Sequence, residues 1–313
     1  PNDGSITYAG DLNVGRFGHS ATTLSDGRVV IIGGQTQAMG EDPVPAVAVE
    51  IYDPGAGQVI SLEVTSFPRW EHTATLLPGD QVLLLGGYGE DGPRADGEVF
   101  AGQALVPLNV TFPFGLIDHS ATSVTADDTF KVLIIGGTDG EAVHNAVWWM
   151  TPSATPGTVT VDNGTALLEG RYGHRTVVLE DETILVLGGA SEPYDPEAGP
   201  VAARADATRF VGLIDQWLPL ANDMTSRRFR SYVGTAEGGA FVVGGSSLVG
   251  RPTAHTNAER FVRNTSSFNA YGLLGPRVAV EKSADDALFF GGIDLSSGRV
   301  TNRVRNLRSA FSD

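Results

Sequence analysis

Cysteine is missing from the 313-residue chain. Its absence excludes disulfides, thiolate metal centres, cysteine nucleophiles and cysteine-linked cofactors. It leaves the compartment open, because reduced cytosolic proteins and disulfide-free exported ones both fit. Lysine is nearly missing too: Lys131 and Lys282 are the only two among 21 basic residues, so positive charge is carried almost wholly by arginine. The formal net charge is −16. DNA, RNA and anionic membranes, which need clustered Lys and Arg, are therefore not expected as partners. No apolar run approaches the roughly 20 residues that span a bilayer. The opening residues Pro1-Asn2-Asp3-Gly4-Ser5 carry neither the basic segment nor the hydrophobic stretch of a secretory leader. A chain that starts without Met is expected to have been trimmed, losing any targeting segment with the cut.

Glycine is abundant, at 40 residues, beside an apolar fraction of 41% and few charges, the composition of a β-rich globular protein with many tight turns. Six short apolar runs each end in Gly-Gly: Val29–Gly34, Val82–Gly87, Val132–Gly137, Ile184–Gly189, Ala240–Gly245 and Ala287–Gly292. From first Gly to first Gly the steps are 53, 50, 52, 56 and 47 residues, which marks an internal repeat. Each run reads as a strand buried on both faces, and the glycines after it permit positive φ and close backbone approach. Fourteen residues before the first Gly stand His19, His72, His174, Arg230 and Arg277, and His119 stands seventeen before because Ala126-Asp127-Asp128 lengthens its hairpin. A strand and a turn fill the interval, as in His19–Leu24 followed by Ser25-Asp26-Gly27, which is the signature of a β-hairpin. A polar loop, a third strand with an aromatic near its end (Tyr52, Phe100, Trp149, Phe210, Phe261) and a fourth strand complete each unit. Four antiparallel strands per repeat make one propeller blade.

These residues resemble the kelch repeat across essentially the whole chain. That family's blade carries an Arg before the first strand, Gly-Gly after the second and an aromatic on the third. Here Arg16, Arg69, Arg171 and Arg227 lie three residues before the marker position, Leu116 and Leu274 replace Arg in blades three and six, and Trp217 is the clearest fourth-strand Trp. The fold expected is all-β: a single six-bladed β-propeller over residues 1–313, with blades of four antiparallel strands near 16–65, 69–112, 116–166, 171–220, 227–272 and 277–313. Residues 1–10 are expected to supply the outer strand of blade six, closing the ring and removing an open edge.

The resemblance implies that the loop leading into the first strand and the loop after Gly-Gly share one face around the axis. Arg16, Arg69, Trp70, Tyr88, Arg171, Tyr172, Arg227 and Arg228 are the candidate ligand-binding residues on that face. Arginine beside an aromatic suits a carboxylate, a phosphate, a sugar or a partner's hot-spot side chain. The competing reading is structural, with Arg and His tying neighbouring blades through backbone carbonyls. His19, His72, His119 and His174 recur with the repeat, and residues that recur so usually serve the blade rather than a metal. The acidic stretches Glu90-Asp91-Gly92, Asp139-Gly140-Glu141 and Asp195-Pro196-Glu197 lack the alternating spacing of a calcium loop. No metal and no cofactor is expected. The kelch-type copper oxidases need a cysteine, and the Glu-x3-Asp-x3-His iron motif of plant specifier proteins is not found. The function expected is non-catalytic recognition of a protein, peptide or glycan by a monomeric propeller. Alternatives are a sialic-acid mutarotase-like or other carbohydrate-active enzyme using the axial pocket, and a structural domain of a larger surface protein. The acidic, lysine-poor composition fits an exported bacterial protein, secreted, periplasmic or on the cell surface.

Overall fold

The computed structural model describes residues 6–37, 41–65, 67–126, 128–195, 197–236, 238–250, 257–273, 280–283, 286–294 and 299–308. They form two compact units. Unit 1 comprises Pro1–Gly115, Ser153–Thr158 and Val278–Asp313, and unit 2 comprises Leu116–Pro152 and Val159–Arg277.

In unit 1, blade one is the sheet Ser20–Thr23, Val29–Ile32, Ala48–Asp53 and Gln58–Thr65, in that order. Blade two follows as Thr73–Leu77, Gln81–Leu85, Gly97–Ala101 and Ala104–Pro107. In unit 2, blade three runs Ser120–Ala126, Thr129–Ile135, Val147–Pro152 and Val159–Asn163. Blade four runs Arg175–Val178, Ile184–Leu187, Ala207–Val211 and Gln216–Pro219. Blade five runs Tyr232–Ala236, Gly239–Val243, Asn257–Val262 and Ser267–Leu273. All neighbours within a blade are antiparallel, as the short hairpin turns require.

Five blades, rather than the six expected, are thus built from consecutive strands with their packing described. Leu274 and Arg277 lie outside the described residues. In the span expected to form blade six, Val280–Ser283, Asp286–Asp294 and Arg299–Arg308 pair in order, and Ile6–Asp11 pairs antiparallel with the last of them, Ile6 opposite Leu307.

The second strand of each blade has a strand on either side and a neighbouring blade against its faces, so an uninterrupted apolar run is what the position demands. Val29–Ile32 and Ile184–Leu187 are buried at every residue. Between blades one and two, Val30, Ile32, Val49 and Ile51 meet Val82, Leu84 and Phe100. Leu133, Ile135 and Val147 likewise pack on Ile184, Val186 and Trp217 between blades three and four. Leu185, Leu187 and Ala207 pack on Ala240, Val242 and Phe261 between blades four and five. Each large side chain buried this way contributes about 1.5–3 kcal/mol, so each inter-blade layer holds its two sheets together through many small terms.

Candidate functional site

Four of the arginines expected on a ligand face are inside the protein. Arg16, Arg69, Arg171 and Arg228 are all buried to 2% exposure or less. Each donates to the carbonyl of the first glycine of its own Gly-Gly pair: Arg16 to Gly33 at 3.0 Å, Arg69 to Gly86 at 3.0 Å, Arg171 to Gly188 at 3.1 Å and Arg228 to Gly244 at 2.5 Å. Each also meets a carboxylate from the third strand or its lead-in. Arg16 pairs with Glu50 at 2.6 Å, Arg69 with Glu98 at 3.2 Å, Arg171 with Asp206 at 3.1 Å and Arg228 with Glu259 at 2.9 Å. A buried charge needs a partner of opposite sign in close, hydrogen-bonded contact. The carboxylates in turn accept from the backbone entering the blade, Glu50 from Asn13 at 2.7 Å and Glu259 from Thr225 and Ser226. These arginines therefore tie the chain entering a blade to its second and third strands.

Blade three shows the same site without charge. Glu50 lies opposite Ile31, and the corresponding partner of Ile134 is Trp148. Leu116 stands where the Arg would be, and both Leu116 and Trp148 are buried. An ion pair and an apolar pair thus occupy one position of the same scaffold.

The Gly-Gly pairs and histidines join one blade to the next. Gly34, Gly137 and Gly189 donate their N–H to the carbonyls of Arg69, Arg171 and Arg228. The preceding glycines have no room for a side chain: a Cβ on Gly136, whose φ is +61°, would lie 2.4 Å from the Arg171 carbonyl. His72 Nε2 bonds Ser20 Oγ at 2.8 Å, and His174 Nε2 bonds Ser120 Oγ at 3.0 Å. Burial holds His119 down to a pKa of about 4 and His174 well below its ordinary value. His119 and His174 are thus neutral imidazoles, His174 tying blade four to blade three and His119 bonding the Leu116 carbonyl in the lead-in to its own blade. Blade five departs from the pattern, with Ser231 against the second glycine where His174 stands in blade four. There the preceding blade supplies Arg175, whose Nε donates to the Ser231 carbonyl.

The residue just before each of these positions adopts a left-handed backbone: Gly18, Glu71, Asp118, Gly173 and Arg230 have φ between 52° and 65°. Within unit 1 the N–H of Glu71 donates to the Gly18 carbonyl, and within unit 2 Gly173 donates to Asp118 and Arg230 to Gly173. Arg230 also reaches Asp118 with its side chain, Nε at 2.8 Å and Nη2 at 2.8 Å.

The aromatic candidates pack above the Gly-Gly turns. Trp70 and Tyr88 exchange backbone hydrogen bonds, and their half-buried rings stack with centroids 6.2 Å apart. Tyr172 is buried edge-on against Phe229, at 5.3 Å. Arg227 alone of the candidate arginines is exposed. It donates to the Ala203 carbonyl at 2.9 Å and lines an open cavity of about 350 Å³ in unit 2 with Ser191, Glu192, Arg204, Asp206 and Asp223. Arg204 grips Asp206 side-on at 2.6 and 2.9 Å and bonds Glu169. Although burial opposes it, these contacts and Arg171 hold the Asp206 carboxyl below its ordinary pKa. The tripeptide Arg204-Ala205-Asp206 has a counterpart in Arg94-Ala95-Asp96, where Arg94 grips Asp96 at 2.8 and 2.5 Å. Arg204 and its cavity were not among the sequence candidates, and that repeated tripeptide was the signal available.

Among the described residues, no group of three His, Asp or Glu side chains is placed to hold a metal ion, and no helix is long and apolar enough to cross a membrane. No family model matches the chain. It is 26% identical over 207 residues to Kelch domain-containing protein 9 of Mus musculus, an alignment that takes in 61% of this chain and 57% of that relative. The chain therefore spans little more than half the length of the curated relative it matches. Among solved structures it is similar to YjhT, with a TM-score of 0.64 at 14% identity over 82% of this chain and 84% of that one. Repeat, blades and likeness agree, and the chain has the fold of a kelch-repeat β-propeller.

Proposed function

We propose that the chain is a recognition module that seats a protein, peptide or glycan partner at the open cavity beside Arg204 and Arg227. The cavity itself carries this reading: its 350 Å³ or so falls within the size range of ligand-binding clefts of about 300–1,000 Å³. Its lining sets two arginines against Glu192, Asp206 and Asp223, so it offers fixed donors and acceptors of both signs. Arg227 is the member whose removal leaves the buried ties untouched. A kelch-type fold is consistent with an interaction scaffold, because its sheets are rigid and its loops are free to vary. A six-bladed ring closed by the N-terminal strand belongs to the same reading, supported by the pairing of Ile6–Asp11 with Arg299–Arg308. So does an extracytoplasmic location, supported by the net charge of −16 and the two lysines.

The test is a screen of the intact protein against peptide and glycan arrays, followed by affinity measurement on Arg227→Ala. Loss of about tenfold or more in affinity, with the melting temperature unchanged, is the expected result. Binding that survives Arg227→Ala at full strength would remove the cavity from the reading.

A further inference from the structure

Blade four holds its buried arginine differently from its sisters. In blades one, two and five the arginine's carboxylate stands inside the third strand, Glu50 opposite Ile31, Glu98 opposite Leu84 and Glu259 opposite Val242. The same register position in blade four, opposite Val186, carries Thr208. Thr208 is 5% exposed, and among the described residues neither its hydroxyl nor the Nε of Arg171 has a hydrogen-bond partner. Asp206, two residues before Thr208, is the only carboxylate among the described residues within ion-pairing distance of Arg171, at 3.1 Å. Blade two has both kinds of partner, since Arg69 meets Asp96 at 3.6 Å and Glu98 at 3.2 Å.

Asp206 also serves the cavity. Its side chain is 28% exposed, is gripped by Arg204 at 2.6 and 2.9 Å, and lines the open space of about 350 Å³. Gly188, whose carbonyl accepts from Arg171, donates its N–H to the Asp206 carbonyl at 3.0 Å. One residue thus closes the blade-four tie on its inner side and forms cavity wall on its outer side.

We infer that Asp206 couples the cavity to the blade-four tie, so that a partner's ammonium or guanidinium group seated there loosens blade four. The inference rests on the cavity being the recognition site. A cation that draws on Asp206 leaves Arg171, buried and permanently charged, without its carboxylate, which is the costly way to break a buried pair. Linkage runs in both directions: whatever secures Arg171 by another route raises the cavity's affinity for the cation. In blades one, two and five the carboxylate inside the third strand would keep the tie closed.

The experiment is a set of melting curves on the full chain, with a tethered cation as the probe. Ala202 is exposed and lines the cavity, so Ala202→Lys places an ammonium group in it and Ala202→Gln is the neutral control. The Lys variant is expected to melt at least about 4 °C below the Gln variant. Thr208→Glu gives Arg171 the carboxylate that blade two has in Glu98, and in that background the difference is expected to vanish. Asp206→Asn is expected to melt about 6–20 °C below the parent. Asp96→Asn, which also frees an outer arginine but keeps Glu98, is expected to fall by less than about 4 °C. If Thr208→Glu does not fold, Glu98→Thr gives blade two the blade-four pattern, and there Asp96→Asn is expected to cost as much as Asp206→Asn. Equal losses for Asp206→Asn and Asp96→Asn in the parent, or equal melting of the Lys and Gln variants, refute the coupling. No ligand enters these measurements, so a screen that finds no binder strikes the recognition reading without touching their outcome.

Discussion

Blade three supplies the control for what a buried arginine does in the other blades. Consider Arg16→Leu in blade one. The guanidinium bonds Gly33, Ala48 and Glu50, and both members of the ion pair are fully buried. Removing it leaves the Glu50 carboxylate with the Asn13 N–H and leaves two carbonyls short of a donor. Breaking a buried pair from one side costs about 3–5 kcal/mol, a large share of a total stability of about 5–15 kcal/mol. At roughly 2–4 °C per kcal/mol the single variant is expected to melt about 6–20 °C lower. Arg16→Leu combined with Glu50→Trp installs the residues that blade three carries as Leu116 and Trp148. It is expected to recover most of that loss, ending within about 2 kcal/mol of the parent. Urea midpoints followed by circular dichroism on parent, both singles and the double variant give the coupling directly. If Arg16→Leu costs less than about 1 kcal/mol, or if the double variant loses the sum of the singles, the arginine is not a tie, and a ligand role for it returns.

Two further outcomes follow from the buried histidines and the Gly-Gly turns. His119 holds a pKa of about 4 against an ordinary 6.5 because it is buried, so between these values the unfolded chain binds a proton that the folded chain refuses. Its stabilising contribution is complete above pH 6.5 and falls away toward pH 4, by about 2 kcal/mol between pH 6.5 and 5, with His174 acting in the same direction. Urea midpoints at pH 7 and 5 should show the fall, and a flat profile would show that the imidazole is not held neutral. Gly136→Ala must take φ +61° and also meet the Arg171 carbonyl at 2.4 Å, whereas Gly79→Ala takes φ +77° in open space. The second is expected to cost about 1–2 kcal/mol and the first at least 2 kcal/mol more, read from paired melting curves. Equal losses would mean that backbone angle alone, and not blade contact, selects glycine there.

The repeat was legible because each of its elements answers a local demand. An apolar run ending in Gly-Gly can only be a covered strand meeting a neighbour's backbone, and Val29–Ile32 and its counterparts are found in that position. The choice between ligand-binding and tying arginines was not legible, because it turns on one residue in the third strand. Glu50, Glu98 and Glu259 each stand as a single acid inside a third strand, and a charge alternating into a strand reads equally as a solvated face. Blade five misled by a single residue. Its hairpin is one shorter, so counting back fourteen from Gly244 lands on Arg230 and Arg227, while the tie is Arg228. The aromatic that follows each tie, Phe17, Trp70, Tyr172 and Phe229, marks the register better than the count does. At the cavity the repeated Arg-Ala-Asp tripeptide pointed to Arg204 and Asp206, but the rest of the lining comes from loops whose lengths do not repeat.

The left-handed turns carry a consequence for how such a chain can change. At Gly18, Glu71, Asp118, Gly173 and Arg230 the link to the next turn, where one is described, is made by N–H and C=O, so the side chain there has mainly to tolerate a positive φ, and only Asp118 and Arg230 add a side-chain tie, to each other. Away from that pair, nearly any residue can be tried there for a cost of about 1–2 kcal/mol. Gly173 is the exception, because a Cβ would enter the Phe229 ring at 2.1 Å. Two acids, one arginine and two glycines already share the position. New specificity can be written at these few residues one at a time, while the sheets that carry them stay as they are.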